Sequence, residues 1–191
     1  MIDNFDIILP LLDFPDDDTF YDLQIIRRGK DHPDMPSANR TIKSYYICKI
    51  ESLVSLKEEI KTLCQLFGAR AYINLAPKSL YKTAMLQLKY ISERIYNGDT
   101  KKIWKSWSTC VGNVKGRKPR WVIDIDEPFA DEYELHKFIN NLEPIGEKVI
   151  VRIPTKSGYH LISKPFNLQK FREKYPDIDV HKNNPTILYV P

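Results

Sequence analysis

The chain has 191 residues, 28% of them charged and 42% hydrophobic, with a formal net charge of +4. That length suits one domain or two small modules and buries a real core without disulfide staples. Three widely spaced cysteines (Cys48, Cys64, Cys110), acids where a secretory leader needs a positive n-region, and apolar runs too short for a span argue against a disulfide framework, secretion and a membrane protein. No P-loop, G-x-G-x-x-G, G-x-S-x-G or H-E-x-x-H occurs, which argues against a motor ATPase, a Rossmann oxidoreductase, a serine hydrolase and a zincin. The expected location is the cytoplasm.

The charge is unevenly spread. Residues 1–20 hold six Asp and no Lys or Arg, and residues 21–120 hold 20 Lys plus Arg against 8 acids. Residues 121–191 hold 9 against 11. A basic first half beside a mildly acidic second half suggests a polyanionic partner and a metal.

Residues 1–20 read as an irregular acidic arm. A strand is expected at 23–28, a loop at 29–39 and a second strand at 44–50. Residues 55–67 show a helical period closed by Gly68. Residues 69–75 alternate, with Arg70, Tyr72 and Asn74 on one face and Ala71, Ile73 and Leu75 on the other. Ser79 caps a long helix whose apolar stripe is Leu80, Ala84, Leu88, Ile91 and Ile95, ended by Asn97-Gly98. Residues 101–120 are basic and irregular, and form the expected seam between a first module (1–119) and a second (120–191). In the second module strands are expected at 120–126, 148–154, 158–164 and 178–181, with helices at 130–142 and 167–175. A turn at Asn183-Asn184-Pro185 is expected to fold a last strand, 186–190, into a terminal hairpin.

The expected class is therefore α/β (α+β). An N-terminal α/β module packs on a ferredoxin-like or RNA-recognition-motif-like β-α-β-β-α-β module.

Asp124 and Asp126 lie two apart on a strand, so both point to one face with Val122, their Cα atoms ~6.5–7 Å apart. Trp121, Ile123 and Ile125 face the other way. Carboxylates at this spacing suit a pair of divalent ions. The pattern alone is weak, because Asp16-x-Asp18 and Asp177-x-Asp179 also match it. Its place on a strand with one apolar face distinguishes it. In a ferredoxin-like sheet the first strand is central, flanked by the third and fourth. His160 and Asp179 then converge on Asp124 and Asp126, with His181 on the same face. The turn Thr155-Lys156-Ser157-Gly158 offers a cation, a hydroxyl and close-approaching amides to an anion.

These residues resemble the archaeo-eukaryotic primase superfamily, in particular the primase-polymerases of phages and plasmids. The first motif of that family, a hydrophobic strand ending D-x-D, is matched by residues 121–126. Its Ser-Gly-x-(x)-His turn is matched by Ser157, Gly158 and His160, and its hydrophobic-Asp strand by Ile178 and Asp179. The resemblance covers residues 120–191 by motif. It implies a primase or primase-polymerase core: a nucleotidyltransferase extending a strand from NTPs or dNTPs on a single-stranded DNA template. Asp124, Asp126 and Asp179 are then catalytic and hold Mg²⁺ or Mn²⁺. Lys156, Ser157, Gly158, His160 and His181 hold the nucleotide. A separate replicative helicase is a further candidate partner, and no membrane is implied. His181 stands where many members have Arg, and the turn after the third motif is not Gly-rich. Lys101, Lys102 and Lys105 interleave with Trp104 and Trp107, a pattern that suits single-strand binding; Lys115, Arg117 and Lys118 just after them, and Arg70 on its polar strand face, are candidate nucleic-acid contacts. The alternatives are an inactive nucleic-acid-binding module of the same fold and a two-metal nuclease.

Overall fold

The computed structural model describes residues 1–32, 39–126, 128 and 131–191. Most of the loop expected at 29–39, and the expected helix start at residue 130, lie outside the described residues. The chain is a mixed α+β structure with two antiparallel sheets.

The first sheet gathers β1 (Ile2–Asp3), β2 (Thr19–Arg28), β3 (Asn39–Ile47), β4 (Arg70–Ile73) and β10 (Thr186–Val190) in the order β1-β10-β4-β2-β3, with β5 (Lys78–Ser79) pairing β2. Alternation explains its core. Tyr21, Leu23 and Ile25 of β2 and Ala71 and Ile73 of β4 are buried against Leu53, Ile60 and Cys64 of α2 (Ile50–Phe67). Gly68 ends α2 at φ +56°, where a left-handed cap favours glycine. The residues that alternate outward, Asp22 and Gln24 on β2 and Tyr72 on β4, leave a polar face.

The second sheet has β6 (Trp121–Asp126), β7 (Val149–Pro154), β8 (Gly158–Ser163) and β9 (Asp179–His181) in the order β7-β8-β6-β9. Its helices, α5 (Glu132–Asn141) and α6 (Leu168–Lys174), cover one face. Leu135, Ile139 and Phe171 pack there on Trp121, Ile123 and Ile125. Buried Lys148 donates to the carbonyls of Ile139 and Asn140 (3.0 Å each), so an ammonium meets the negative end of α5.

Three expectations are corrected. The last strand forms no hairpin with β9. β10 instead pairs with β4 and β1, because Leu188 and Tyr189 complete the first core. Residues 186–190 thus belong to the first sheet, and a division at 119/120 does not describe the fold. The two sheets also share a core: Val122, Ile153 and Ile162 pack into the first cluster. Buried Asn4 stitches the sheets, donating to the carbonyls of Pro154 and Ile187 (3.0 Å each).

The N-terminal segment is not an irregular arm either. After β1 comes α1 (Phe5–Ile8) and a 3-10 turn at Leu9–Leu11, with Phe5, Ile8 and Leu12 buried. Most of its acids have partners. Asp3 pairs with Lys61 (2.7 Å), Asp13 with Lys118, and Asp16 and Asp18 with Arg117. Asp18 also accepts from Ser79 Oγ and the Tyr81 amide (2.6 Å each) at the start of α3 (Leu80–Tyr96).

The stripe expected on α3 is not buried as a whole: Leu88 and Ile95 are exposed. The neighbouring α4 (Ser106–Asn113) meets the Thr83–Gln87 face instead, where Gln87 Nε2 donates to Ser106 Oγ at 2.8 Å. Trp107 packs against Phe20 and Tyr46, whereas Trp104 is exposed.

The arm's ion pairs carry a pH signature. The Thr19 hydroxyl and Arg117 hold the Asp16 carboxyl low, and the Ser79 hydroxyl, the Tyr81 amide and Arg117 do so for Asp18. A carboxyl lowered in the folded state stabilises above its unfolded pKa of about 4 and loses that contribution as pH falls through the folded value. Arg117→Ala is therefore expected to be less stable than wild type at pH 7, with the gap narrowing below about pH 4. Urea denaturation at several pH values reads it, and a gap constant with pH refutes it.

Candidate active site

The register of the second sheet builds the site. Asp124 of β6 lies directly opposite His160 of β8 on one side and Asp179 of β9 on the other. Directly opposed residues of an antiparallel pair share a face. His160 is in turn opposite Ile153 on β7. One row across four strands therefore reads Ile153, His160, Asp124, Asp179. Asp126 stands one step along, opposite Gly158, and His181 one step the other way, opposite Val122.

His160 is fixed from both ends. Its Nδ1 lies 2.8 Å from Thr186 Oγ1 and its Nε2 3.4 Å from Asp124 Oδ1. Thr186 is fully buried and comes from β10, so the first sheet orients a ring of the second. The His160 hydrogen bond, aided by the charges of His160, His181 and Arg28, holds the Asp124 carboxyl below the usual carboxylate range against a desolvation that works the other way. Ser157 Oγ donates to Asp126 Oδ1 at 3.2 Å, and Lys156 beside it is exposed.

A cleft of about 250 Å³ opens over the middle of the row, at His160 and Asp124. Its second-sheet wall carries Asp124, His160 and His181, and its first-sheet wall carries Arg28 and Tyr72. Asn184 and Pro185 of the loop before β10 close one side. Three further hollows adjoin along the polar face of the first sheet. One shares Arg28, Tyr72 and Pro185 with the cleft, the next shares Tyr72 and Pro185, and the third shares Gln24 with that one and reaches Trp104 and Lys105. The trough thus runs from the acidic row to an exposed indole.

Among the described residues, no three His, Cys, Asp or Glu side chains form a group that could hold a metal ion. Asp124 turns to His160 and Asp126 to Ser157. The donor set nonetheless fits a hard divalent ion in kind: carboxylate oxygens on one face, two of them directly opposed.

The basic residues fall differently from expectation. Arg70 is buried and paired with Asp31 at 2.6 Å, so it ties β4 to the turn that follows β2. Arg117 and Lys118 are bound by the acidic arm. Lys115 lines a separate hollow of about 400 Å³ with Trp121 and Lys182. Of the polar face read from residues 70–74, Tyr72 lines the cleft and Asn74 an adjoining hollow. Thr186 and Pro185 carry no local signal: they reach the site only because β10 changes sheets.

Comparison with protein-family models, with curated proteins and with solved structures finds no match for this chain. Among the described residues no helix is long and apolar enough to cross a membrane.

Proposed function

We propose that the protein is a template-directed nucleotidyltransferase of primase-polymerase type, acting in the cytoplasm on single-stranded DNA with NTPs or dNTPs. The observation that carries this reading is the row His160–Asp124–Asp179, with Asp126 on the same strand face, whose Asp124 and His160 line a cleft that also holds Arg28. The strand order β7-β8-β6-β9, with one helix between β6 and β7 and another between β8 and β9, supports a ferredoxin-like module like that of the archaeo-eukaryotic primases.

In the proposed reaction a 3′-hydroxyl oxygen attacks the α-phosphorus of a bound triphosphate. The bond to the bridging oxygen breaks, pyrophosphate leaves and the hydroxyl proton is lost. Asp124, Asp126 and Asp179 would hold Mg²⁺ or Mn²⁺, which acidifies the hydroxyl and neutralises phosphate charge. The chain's own side chains do the rest. His160, steadied by Thr186, would turn its Nε2–H from Asp124 to a phosphate oxygen. Arg28 faces the same cleft and adds charge, and His181 lines it. Lys156 and the Ser157 hydroxyl stand on the exposed turn between β7 and β8, where the distal phosphates would project.

The test is extension of a primed or unprimed single-stranded template with nucleotides and Mg²⁺ or Mn²⁺, beside Mn²⁺ binding followed by electron paramagnetic resonance. Expected are template-dependent extension and Mn²⁺ uptake lost in Asp179→Ala. Strand binding with neither extension nor Mn²⁺ uptake establishes instead a non-catalytic nucleic-acid-binding module, the reading that the ungathered carboxylates favour. Shortening of a labelled strand without nucleotides establishes a nuclease.

A further inference from the structure

The hollow next to the acidic cleft has a composition of its own. It measures about 180 Å³, and its polar lining is Asp22, Gln24, Asn74, Lys78 and Asn183. Tyr72 and Pro185 form the wall it shares with the cleft. The volume is below that of pockets for drug-sized ligands and suits one planar ring.

Hydrogen-bond accounting shows what the hollow lacks. Asp22 Oδ2 accepts from Gln24 Nε2 at 3.2 Å, but Asp22 Oδ1 is buried without a partner. A buried acceptor left unpaired is costly and calls for an explanation. Burial pushes the Asp22 carboxyl up, and the charge of Lys78 opposes that push. Lys78 cannot supply the missing donor where it stands. Its ammonium is fully buried and donates to the carbonyls of Val111 (2.5 Å) and Val114 (3.2 Å). Asn74 Nδ2 is likewise taken, donating to the carbonyl and Oδ1 of Asn183 (3.2 Å each). The hollow is therefore lined by two acceptor-bearing side chains, Asp22, whose Oδ1 has no partner, and Gln24, whose Nε2 is spent on Asp22. The Asn183 amide, engaged through its oxygen, leaves Nδ2 to donate.

Among the nucleobases that set selects one. Guanine presents two adjacent N–H donors, N1–H and the 2-amino group, beside the O6 acceptor. Adenine, cytosine and uracil each set at least one ring or carbonyl acceptor against the carboxylate, a repulsive mismatch. We propose that this hollow binds the Watson–Crick edge of guanine and that Asp22 is its specificity-determining residue. The proposal rests on the nucleotide reading of the neighbouring cleft, and it adds a base preference to it. The base can come from a free nucleotide or from a strand lying in the trough.

The experiment uses the full chain without divalent metal. GTP, ATP, CTP and UTP are titrated calorimetrically, and an oligo-dA strand with or without one central dG is titrated by fluorescence anisotropy. The expected result is roughly tenfold or greater preference for guanine in at least one arm. The arm that shows it identifies the source. Asp22→Asn, which replaces an acceptor oxygen with an amide donor, is expected to abolish the preference. Gly112→Leu is the second variant. An added Cβ at Gly112 meets nothing within 4 Å, and the side chain would fill the hollow from the α4 side. It too is expected to remove the preference, with the urea midpoint confirming that the variant is folded. Wild type with no guanine preference in either arm, or a preference that survives both substitutions, overturns the proposal. Extension without base preference overturns this inference alone. Preference without extension overturns only the catalytic reading.

Discussion

Asp124→Asn is expected to lower nucleotide incorporation by roughly 10³-fold with the fold intact, on the scale of losing one preorganised electrostatic contact at a reacting phosphate. Position is the reason. Of the three candidate acids, Asp124 alone has directly opposed strand neighbours on both sides, His160 and Asp179. Asn keeps the size and removes the charge. On the proposed reading that removes an anionic cation ligand, and it weakens the charge-assisted contact that steadies the far end of His160. The stability cost is small: the pair is 3.4 Å apart and the Asp124 side chain is 46% exposed, so solvent screening holds it to at most ~1 kcal/mol. Because its folded carboxyl is lowered, that contribution is present above about pH 4 and disappears as pH falls through the folded value. Steady-state incorporation on a primed template, with circular dichroism as the fold control, measures the effect. Activity within threefold of wild type would sink the assignment of Asp124.

Leu188→Ala is expected to cost about 3 kcal/mol, in the range for a fully buried leucine truncated to alanine. Leu188 has no exposed surface and belongs to the core that the first sheet shares with Val122, Ile153 and Ile162. In a chain of this size the loss corresponds to a fall of roughly 6–12 °C in melting temperature. Activity should fall with it near the new midpoint, since β10 also carries Thr186 to His160. Calorimetry and urea titration read both quantities. A cost under about 1 kcal/mol would mean that β10 contributes no more than a peripheral edge strand.

The second half was nearly complete in the sequence. The strand and helix expectations for residues 120–181 lie within about two residues of the observed bounds wherever the chain is described. The apolar side of each element is strongly periodic there, and local period and local burial agree. Apolar Trp121, Ile123 and Ile125 alternate with Val122, Asp124 and Asp126, so the face of every candidate ligand followed from parity alone. The first half was less legible because its faces are mixed. Leu88 and Ile95 read as core yet stay exposed, since the helix that meets α3 takes the Thr83–Gln87 side.

The acidic opening shows the limit from the other side. Six Asp within twenty residues give a charge but no partner. Phe5, Ile8 and Leu12 are spaced to bury one side of a short helical segment, and that burial sets Asp13, Asp16 and Asp18 against Lys118 and Arg117. Two candidate nucleic-acid contacts were thereby consumed by the protein's own N-terminus. Sequence could not foresee this, because the pairs join residues about a hundred positions apart.

The sequence by itself determined which side chains share the face of the second sheet: Asp124 and Asp126 by alternation, His160, Asp179 and His181 by their place on strands of known order. Only the tertiary structure decided what stands opposite them. The last strand leaves the second sheet for the first because Leu188 and Tyr189 find a deeper core there. That crossing brings Thr186 to His160 and sets Tyr72 and Arg28 across the cleft from the acids. Periodicity encodes which way a residue points along its own strand. Which other segment it meets is decided by burial summed over the whole chain, and no local pattern records that sum.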